Sequence, residues 1–162
     1  MAYDAFLKVE DVNGDLIEGD VVVEGHKGEM EIASFSFGID NPTTIGSATG
    51  GAGSGKVNFH DIHITKRTDK TSPVFFKTCC AGAHFQKVTL TMRKAGTQQN
   101  DFLKYELTTV FVSSMETAGA EGGDDSPLED IGLMFAKFHI TFTSDDGSTA
   151  DAGWDVANNT SA

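Results

Sequence analysis

A glycine-rich stretch ending in a lysine is the first place in the sequence where chemistry could occur. Residues 50–56 read GGAGSGK and carry the glycine and lysine spacing of a phosphate-binding loop. The next residue is Val57, so the hydroxyl group that would hold magnesium is missing. An alternating pattern follows, so no helix N-terminus would face a phosphate. We therefore expect a flexible glycine loop and no cofactor.

Two histidines, His60 and His63 in the sequence HDIH, raise the question of a metal site. Side chains three residues apart on a strand point to opposite faces, so these two cannot bind one ion. The remaining histidines are scattered over unrelated segments, at His26, His84 and His139. We expect ordinary surface or half-buried histidines.

Acidic residues gather in two places that could attract a cation. One group is placed around a turn, at Asp124, Asp125, Glu129 and Asp130, and the other is Asp145 with Asp146 before Gly147. Neither group has the ligand spacing of the known calcium-binding loop. We expect solvated turns and no bound metal.

The cysteines and the remaining polar residues provide no visible catalyst. Cys79 and Cys80 are adjacent, and a disulfide between neighbours would close almost no loop, so two reduced thiols in a reducing compartment are favoured. They resemble small core residues more than a nucleophile with its base. No nucleophile elbow and no Ser/His/Asp arrangement is recognisable. We therefore expect no catalytic residue and no enzyme.

Most of the chain alternates between apolar and polar residues, which is typical of strands. The predicted strands cover residues 3–9, 16–24, 29–39, 57–66, 87–94, 102–115 and 128–143. Within 29–39, Ala33, Phe35, Phe37 and Ile39 share one face, so Ser36 points the other way. The apolar residues change from odd to even positions between Phe59 and Ile62. This change predicts a bulge or a change of buried face near His60 and Asp61.

One short helix is predicted over residues 72–82. Ser72 can cap its start, Pro73 fits the first turn, and Gly82 fits the left-handed position after its end. The residues Phe75, Phe76, Cys79 and Cys80 recur at helical spacing and are expected to form one stripe that faces the core. Many strands with a single helix predict a mainly β fold, a barrel-like sandwich of two antiparallel sheets with one flanking helix.

The segment Asn41–Gly55 has almost no apolar residue and cannot bury itself, so it is expected to be an extended exposed loop. No composition change divides the remaining chain, which predicts one domain over residues 1–156 and a loosely held tail over 157–162. Long strands leave unpaired sheet edges, and a ring of identical subunits would cover both those edges and the loop.

The charge and hydropathy of the chain exclude some partners. Its 162 residues include 24 acidic and 12 basic ones, a net charge of −12, which disfavours nucleic acid. No apolar run is long enough to span a bilayer, and no secretory signal is visible at the start of the sequence. Two functions stay open from the residues alone: a structural, assembling protein, and a monomeric β-module that binds a ligand or an ion.

Several segments, in order along the chain, resemble the Hcp family (haemolysin-coregulated protein), which forms the tube of the type VI secretion system. They are MAYDAFLKVEDVNGD at the start, ASFSFG at 33–38, GKVNFHDIHITKRTDKTSP at 55–73, VTLTMRKAG at 88–96 and GWDV at 153–156. The part from Lys56 to Gly96 is the most specific.

This resemblance implies hexameric rings that stack into a hollow tube, with a contractile sheath, a baseplate and a spike protein as partners. It also implies small effector proteins as cargo in the lumen. The protein would be cytoplasmic before firing and then secreted without a cleaved signal peptide. By the same resemblance Ser36 faces the lumen and binds effectors, and the extended loop contacts the adjacent ring. The loop positions are Asn41, Thr43, Thr44, Ile45, Ser47, Thr49 and Ser54.

Overall fold

The computed structural model describes residues 2–44, 53–54, 56–96, 99–123 and 125–162. Within these residues the chain forms thirteen strands and one helix, which confirms the mainly β prediction. In chain order the elements are β1 (Tyr3–Glu10), β2 (Met30–Ile32), β3 (Ser34–Ser36), β4 (Ile39–Asp40), β5 (Thr43–Thr44), β6 (Gly53–Ser54), β7 (Asn58–Phe59), β8 (Ile62–Arg67), α1 (Ser72–Ala81), β9 (His84–Lys94), β10 (Asp101–Ala118), β11 (Leu128–Thr143), β12 (Thr149–Asp155) and β13 (Thr160–Ser161).

Antiparallel pairing closes these strands into a barrel. β1 pairs with β9, β9 with β10, and β10 with β11. The first part of β11 pairs with β8, and β8 pairs with β3. Only Ala33 separates β3 from β2, and β2 returns to pair with β1. The path is therefore a closed circuit, which leaves the participating strands without a free edge over their paired residues.

The long strand β11 joins this barrel to an additional edge. Residues 128–133 pair with β8, whereas residues 137–143 pair with β12. β12 in turn pairs with β13 through Trp154 and Asp155. The segment 157–162, which was expected to be a loosely held tail, therefore contains the short strand β13.

The predicted loop over Asn41–Gly55 begins and ends as a β-ribbon. β4 pairs with β7, so that Ile39 lies opposite Phe59. Further out, β5 pairs with β6, so that Thr43 lies opposite Ser54. The two short ladders follow one another along the same pair of chain segments. We call residues 39–44 and 53–59, with 55 outside the described residues, the hairpin.

The core follows the alternation that the sequence predicts. On β1, Leu7 and Val9 are buried, and on the neighbouring β9, Val88 and Leu90 are buried beside them. They join one cluster with the inward residues of β8, β10 and β11. Burial of this apolar surface is the main stabilising contribution to the fold.

The prediction of a strand over residues 16–24 is wrong. In the structure only Leu16 forms an isolated bridge, to Glu10. The Gly19 N–H donates to the Gly28 carbonyl, and a Cβ on Gly19 would lie 2.4 Å from the Glu29 carbonyl oxygen. The chain therefore folds against residues 28–29 instead of joining a sheet, and Val22 remains 83% exposed. The β-branched residues of this segment favour a strand, but the contact of Gly19 with residues 28–29 determines its conformation.

The helix α1 differs from its prediction at the N-terminus and on one side. Thr71 occupies the N-cap position and Ser72 is the first helical residue, while Gly82 has the expected left-handed conformation (φ 62°). Phe75 is fully buried, but Phe76 is 63% exposed, and Cys80 is exposed while Cys79 is half-buried. The helix lies on the barrel surface, so the stripe that it buries is narrower than the predicted stripe of Phe75, Phe76, Cys79 and Cys80.

No helix in the described ranges is both long and apolar enough to cross a membrane.

Candidate functional site

Ser36 lies on the outer face of the barrel, in a row of small and polar side chains. It is exposed at the end of β3, opposite His63 of β8. The row continues across the sheet from His63 to Gly132 of β11, and from Gly132 to Ser114 of β10. A Cβ on Gly132 would lie 2.4 Å from Ser114 Oγ and 3.2 Å from His63 Cε1. The side chains of Ser114 and His63 therefore occupy the space above Gly132. We call the row of Ser36, His63, Gly132 and Ser114 the Ser36 face.

Charged groups surround the Ser36 face. His63 Nδ1 lies 3.0 Å from Asp130 Oδ1, and Asp61 accepts a hydrogen bond from the Ser113 hydroxyl. Glu116 is exposed on β10 directly opposite Asp130. The face is polar, with serine hydroxyls, an imidazole and three carboxylates, which suits a protein surface more than a small apolar ligand.

His60 and His63 do not converge. His60 Nε2 lies 2.6 Å from Asp40 Oδ1, while His63 contacts Asp130 on a different strand. His60 directly follows β7 and His63 belongs to β8, and these two elements pair with different strands, so each histidine meets a different carboxylate. Among the described residues, no group of three or more His, Cys, Asp or Glu side chains is arranged to hold a metal ion.

The predicted ring-contact positions fall on the hairpin. Asn41 precedes β5, Thr43 and Thr44 form β5, and Ser54 belongs to β6. Ile45, Ser47 and Thr49 lie outside the described residues.

Aromatic rings anchor the hairpin to the barrel. Phe37 stacks on Phe138 with ring centroids 4.5 Å apart and an interplanar angle of 8°. Phe59 makes an edge-on contact with Phe135, and Tyr105 lies against Phe37 and Phe138. Such pairs contribute to stability beyond the area that they bury, so they help to fix the base of the hairpin to the barrel.

Ala33 and Ile39 depart from the predicted apolar face of residues 29–39. Both are exposed, while Phe35 and Phe37 pack against the core. The segment breaks into three short strands with different partners, so one continuous alternation does not hold.

A buried ion cluster at the start of α1 is a feature that the sequence analysis missed. Lys66 is only 1% exposed, and its Nζ lies 2.9 Å from Glu129 Oε2 and 3.0 Å from Asp69 Oδ1. It also lies 5.6 Å from the ring centroid of Phe75. Glu129 was expected in a solvated turn, yet it is buried within β11. The sequence does contain a pattern that predicts this burial. Lys66 is in the same alternating phase as the inward residues Ile62 and Ile64. Glu129 is in the same phase as the inward residues Ile131 and Leu133.

His26 also departs from its prediction as a surface or half-buried histidine. It is 5% exposed, and its ring stacks on Phe6 at 4.5 Å. Its Nδ1 lies 2.7 Å from Glu29 Oε2 and its Nε2 lies 2.9 Å from Asp101 Oδ1. These contacts join the irregular segment after β1 to the start of β10. No spacing in the sequence brings residues 26 and 101 together, so this contact could not be predicted.

The family described as "Type VI secretion system effector, Hcp" matches residues 6–142. The chain belongs to the Hcp family. It is 33% identical to a protein named hcp1 from Pseudomonas aeruginosa, over 169 aligned residues that cover 100% of both chains. The Hcp resemblance seen in the sequence is thereby confirmed.

Solved Hcp structures share the fold. The crystal structure of Hcp1 from Salmonella typhimurium is 28% identical, covers 100% of both chains and has a TM-score of 0.79. A structure described as a type six secretion system protein is 26% identical, covers 99% of this chain and 100% of its own, and has a TM-score of 0.87. Hcp proteins are secreted structural proteins of the type VI secretion system.

Within this Hcp chain, the segment with the most specific resemblance holds the Lys66 cluster. Lys66, Asp69, Thr71 and Ser72 all lie in ITKRTDKTSP, and each side chain contributes to the contacts around the start of α1. In this chain the segment therefore stabilises the start of α1 against β8 and β11.

Proposed function

We propose that this Hcp chain is the subunit of a type VI secretion tube. Six copies form a ring, and the rings stack into a hollow tube that sheath contraction expels. The observation that carries this proposal is the hairpin, a two-segment ribbon that is fixed to the core by stacked aromatic rings and whose outer ladder extends away from it. A paired ribbon of this kind suits a contact between identical subunits.

The Ser36 face is the proposed lumen surface. Ser36, Gly132 and Ser114 are small, so they would leave the bore open, and the charged groups beside them would contact protein cargo. We propose that small effector proteins bind here before export. The partners of the assembled tube are the spike, the contractile sheath and the baseplate, and the protein is cytoplasmic before firing.

The test is the assembly state of the purified protein. Size-exclusion chromatography with light scattering is expected to give a stable particle of six 17.2 kDa chains, and electron microscopy should show rings. A particle of one chain at every concentration would contradict the proposal. That result would favour the alternative, a monomeric β-module that binds a ligand or an ion.

A further inference from the structure

An open cleft of about 440 Å³ lies where the hairpin meets the end of β11 and β12. Its walls come from the base of the hairpin on one side and from the paired strands β11 and β12 on the other. Six of its lining residues are Phe37, Ile39, Asn41, Phe59, Phe138 and Trp154. We call this the hairpin cleft. None of the described residues that line it carries a charge.

The polar groups of the hairpin cleft are too few for a small polar ligand. Its lining offers the Asn41 side-chain amide and the indole of Trp154, whose Nε1 is buried without a hydrogen-bond partner among the described residues. Sites for small molecules hold several converging polar groups that fix the ligand's orientation. An apolar protein surface fits this cleft better.

The rim of the hairpin cleft is unusually exposed for apolar residues. Ile39 is 55% exposed, although it belongs to a strand. Within the described part of the chain, that strand, β4, pairs with β7 alone, so its outer edge is open. Exposed apolar strand edges promote association, and natural proteins cover them.

The charge distribution identifies the occupant as another copy of the chain. Each chain carries a net charge of −12, so two copies repel each other unless they meet where carboxylates are absent or paired. The hairpin cleft meets this condition, because its lining is uncharged. Three carboxylates adjoin the lining residues in sequence, and each has a partner. Asp40 lies 2.6 Å from His60 and Asp151 lies 2.9 Å from His139. Asp155 lies 4.0 Å from Lys137 Nζ and accepts a hydrogen bond from the Asn158 side chain.

We propose that the hairpin cleft receives apolar side chains of the neighbouring subunit and so forms one half of the contact that closes the ring. This inference rests on the ring assembly proposed above. In a ring the contact is head-to-tail, so the cleft of one subunit meets a different surface of the next, and every cleft is filled.

The experiment uses Trp154, the only tryptophan of the chain, as a reporter inside the cleft. Acrylamide quenching of its fluorescence is measured on the wild-type ring and on an Ile39→Glu variant, alongside light scattering and circular dichroism. Ile39→Glu places a carboxylate at the contact and is expected to raise the apparent dissociation constant of the ring by roughly a hundredfold or more. Trp154 should be shielded in the ring and quenched readily in the dissociated variant.

The matched control is Val22→Glu, because Val22 is 83% exposed and lies outside the cleft. This variant should form rings as the wild type does. Rings that survive Ile39→Glu, dissociation by both variants alike, or equal quenching of Trp154 in ring and single chain would each overturn the inference while the ring itself stands. A wild-type protein that forms no ring would overturn the proposed function as well.

Discussion

Lys66 Nζ and Glu129 Oε2 lie 2.9 Å apart, and their side chains are only 1% and 2% exposed. The pair joins β8 to β11 inside the barrel, and Asp69 brings the start of α1 to the same ammonium group. Ser72 Oγ, 3.3 Å from Lys66 Nζ, is also within hydrogen-bond distance. A buried charge of this kind is tolerated because several partners surround it.

Replacing Lys66 with methionine is expected to destabilise the fold strongly. The change would leave the buried Glu129 carboxylate without its cation, which costs about 3–5 kcal/mol in comparable cases. Urea unfolding at a fixed chain concentration measures the change in the free energy of unfolding. The matched control is Lys70→Met: Lys70 is 55% exposed and lies 3.5 Å from the exposed Asp20, so its loss should cost at most about 1 kcal/mol.

The double variant Lys66→Met with Glu129→Leu separates the loss of pairing from the loss of packing. Removing both charges should restore much of the stability, because no buried carboxylate then lacks its cation at that position. Equal destabilisation by Lys66→Met and Lys70→Met would contradict the assigned role of the cluster.

The fold should lose stability in acid through Asp69. Burial acts to raise the pKa of this carboxyl, but hydrogen bonds from Thr71 and Lys66 together outweigh it and hold the pKa below the ordinary value of 3.8. A carboxyl whose pKa is lower in the folded state stabilises that state in full above pH 3.8, and the contribution is lost as the pH falls through the folded pKa.

Asp69→Asn should therefore be less stable than the wild type at neutral pH, and the difference should narrow below pH 3.8. Urea midpoints at several pH values measure this. Asp20→Asn, which changes a 66% exposed carboxyl, should differ little from the wild type at any pH. A difference for Asp69→Asn that stays constant with pH would be evidence against this account.

Enlarging Ser36 should impair cargo binding without disturbing the ring. In Ser36→Gln a long side chain replaces a small exposed one on the proposed lumen surface, so effector retention in a pull-down should fall while light scattering is unchanged. Thr149→Gln, at an exposed position of β12, is the control and should retain effectors. Unchanged effector binding by Ser36→Gln would remove the support for this surface.

Stacking of rings should respond to salt. Each chain carries a net charge of −12, and added salt shortens the distance over which rings repel each other, from about 10 Å at 0.1 M to about 3 Å at 1 M. Electron microscopy should therefore show more and longer tubes at higher salt. A tube population that falls as salt is added would show that attraction between charges dominates the stacking contact.

The strands that could be predicted are those with regular alternation. The bounds of β11 agree with the predicted 128–143, and β9 and β10 extend their predictions by a few residues at their ends. In these strands each residue's burial follows from its phase, as in Val88, Leu90 and Met92. The segment 16–24 failed because its conformation depends on contacts with residues 28–29 that no local pattern reveals.

The candidate site could be predicted only in part. The orientation of Ser36 followed from its aromatic neighbours, but its alignment with Gly132 and Ser114 depends on the register of three strands that are distant in sequence. The hairpin cleft is likewise built from segments around residues 37, 59, 138 and 154, which only the closed barrel brings together.

The stacking of Phe37 on Phe138 has a consequence for genetic work on secretion. A screen for alleles that are deficient in export would recover substitutions at either phenylalanine. In these alleles the amount of the protein in the cell would fall together with the amount exported. Such alleles would therefore identify folding defects as much as defects of the secretion system. Ile39, two residues after Phe37, has an exposed side chain. Substitutions there can separate a defect in secretion from a defect in folding.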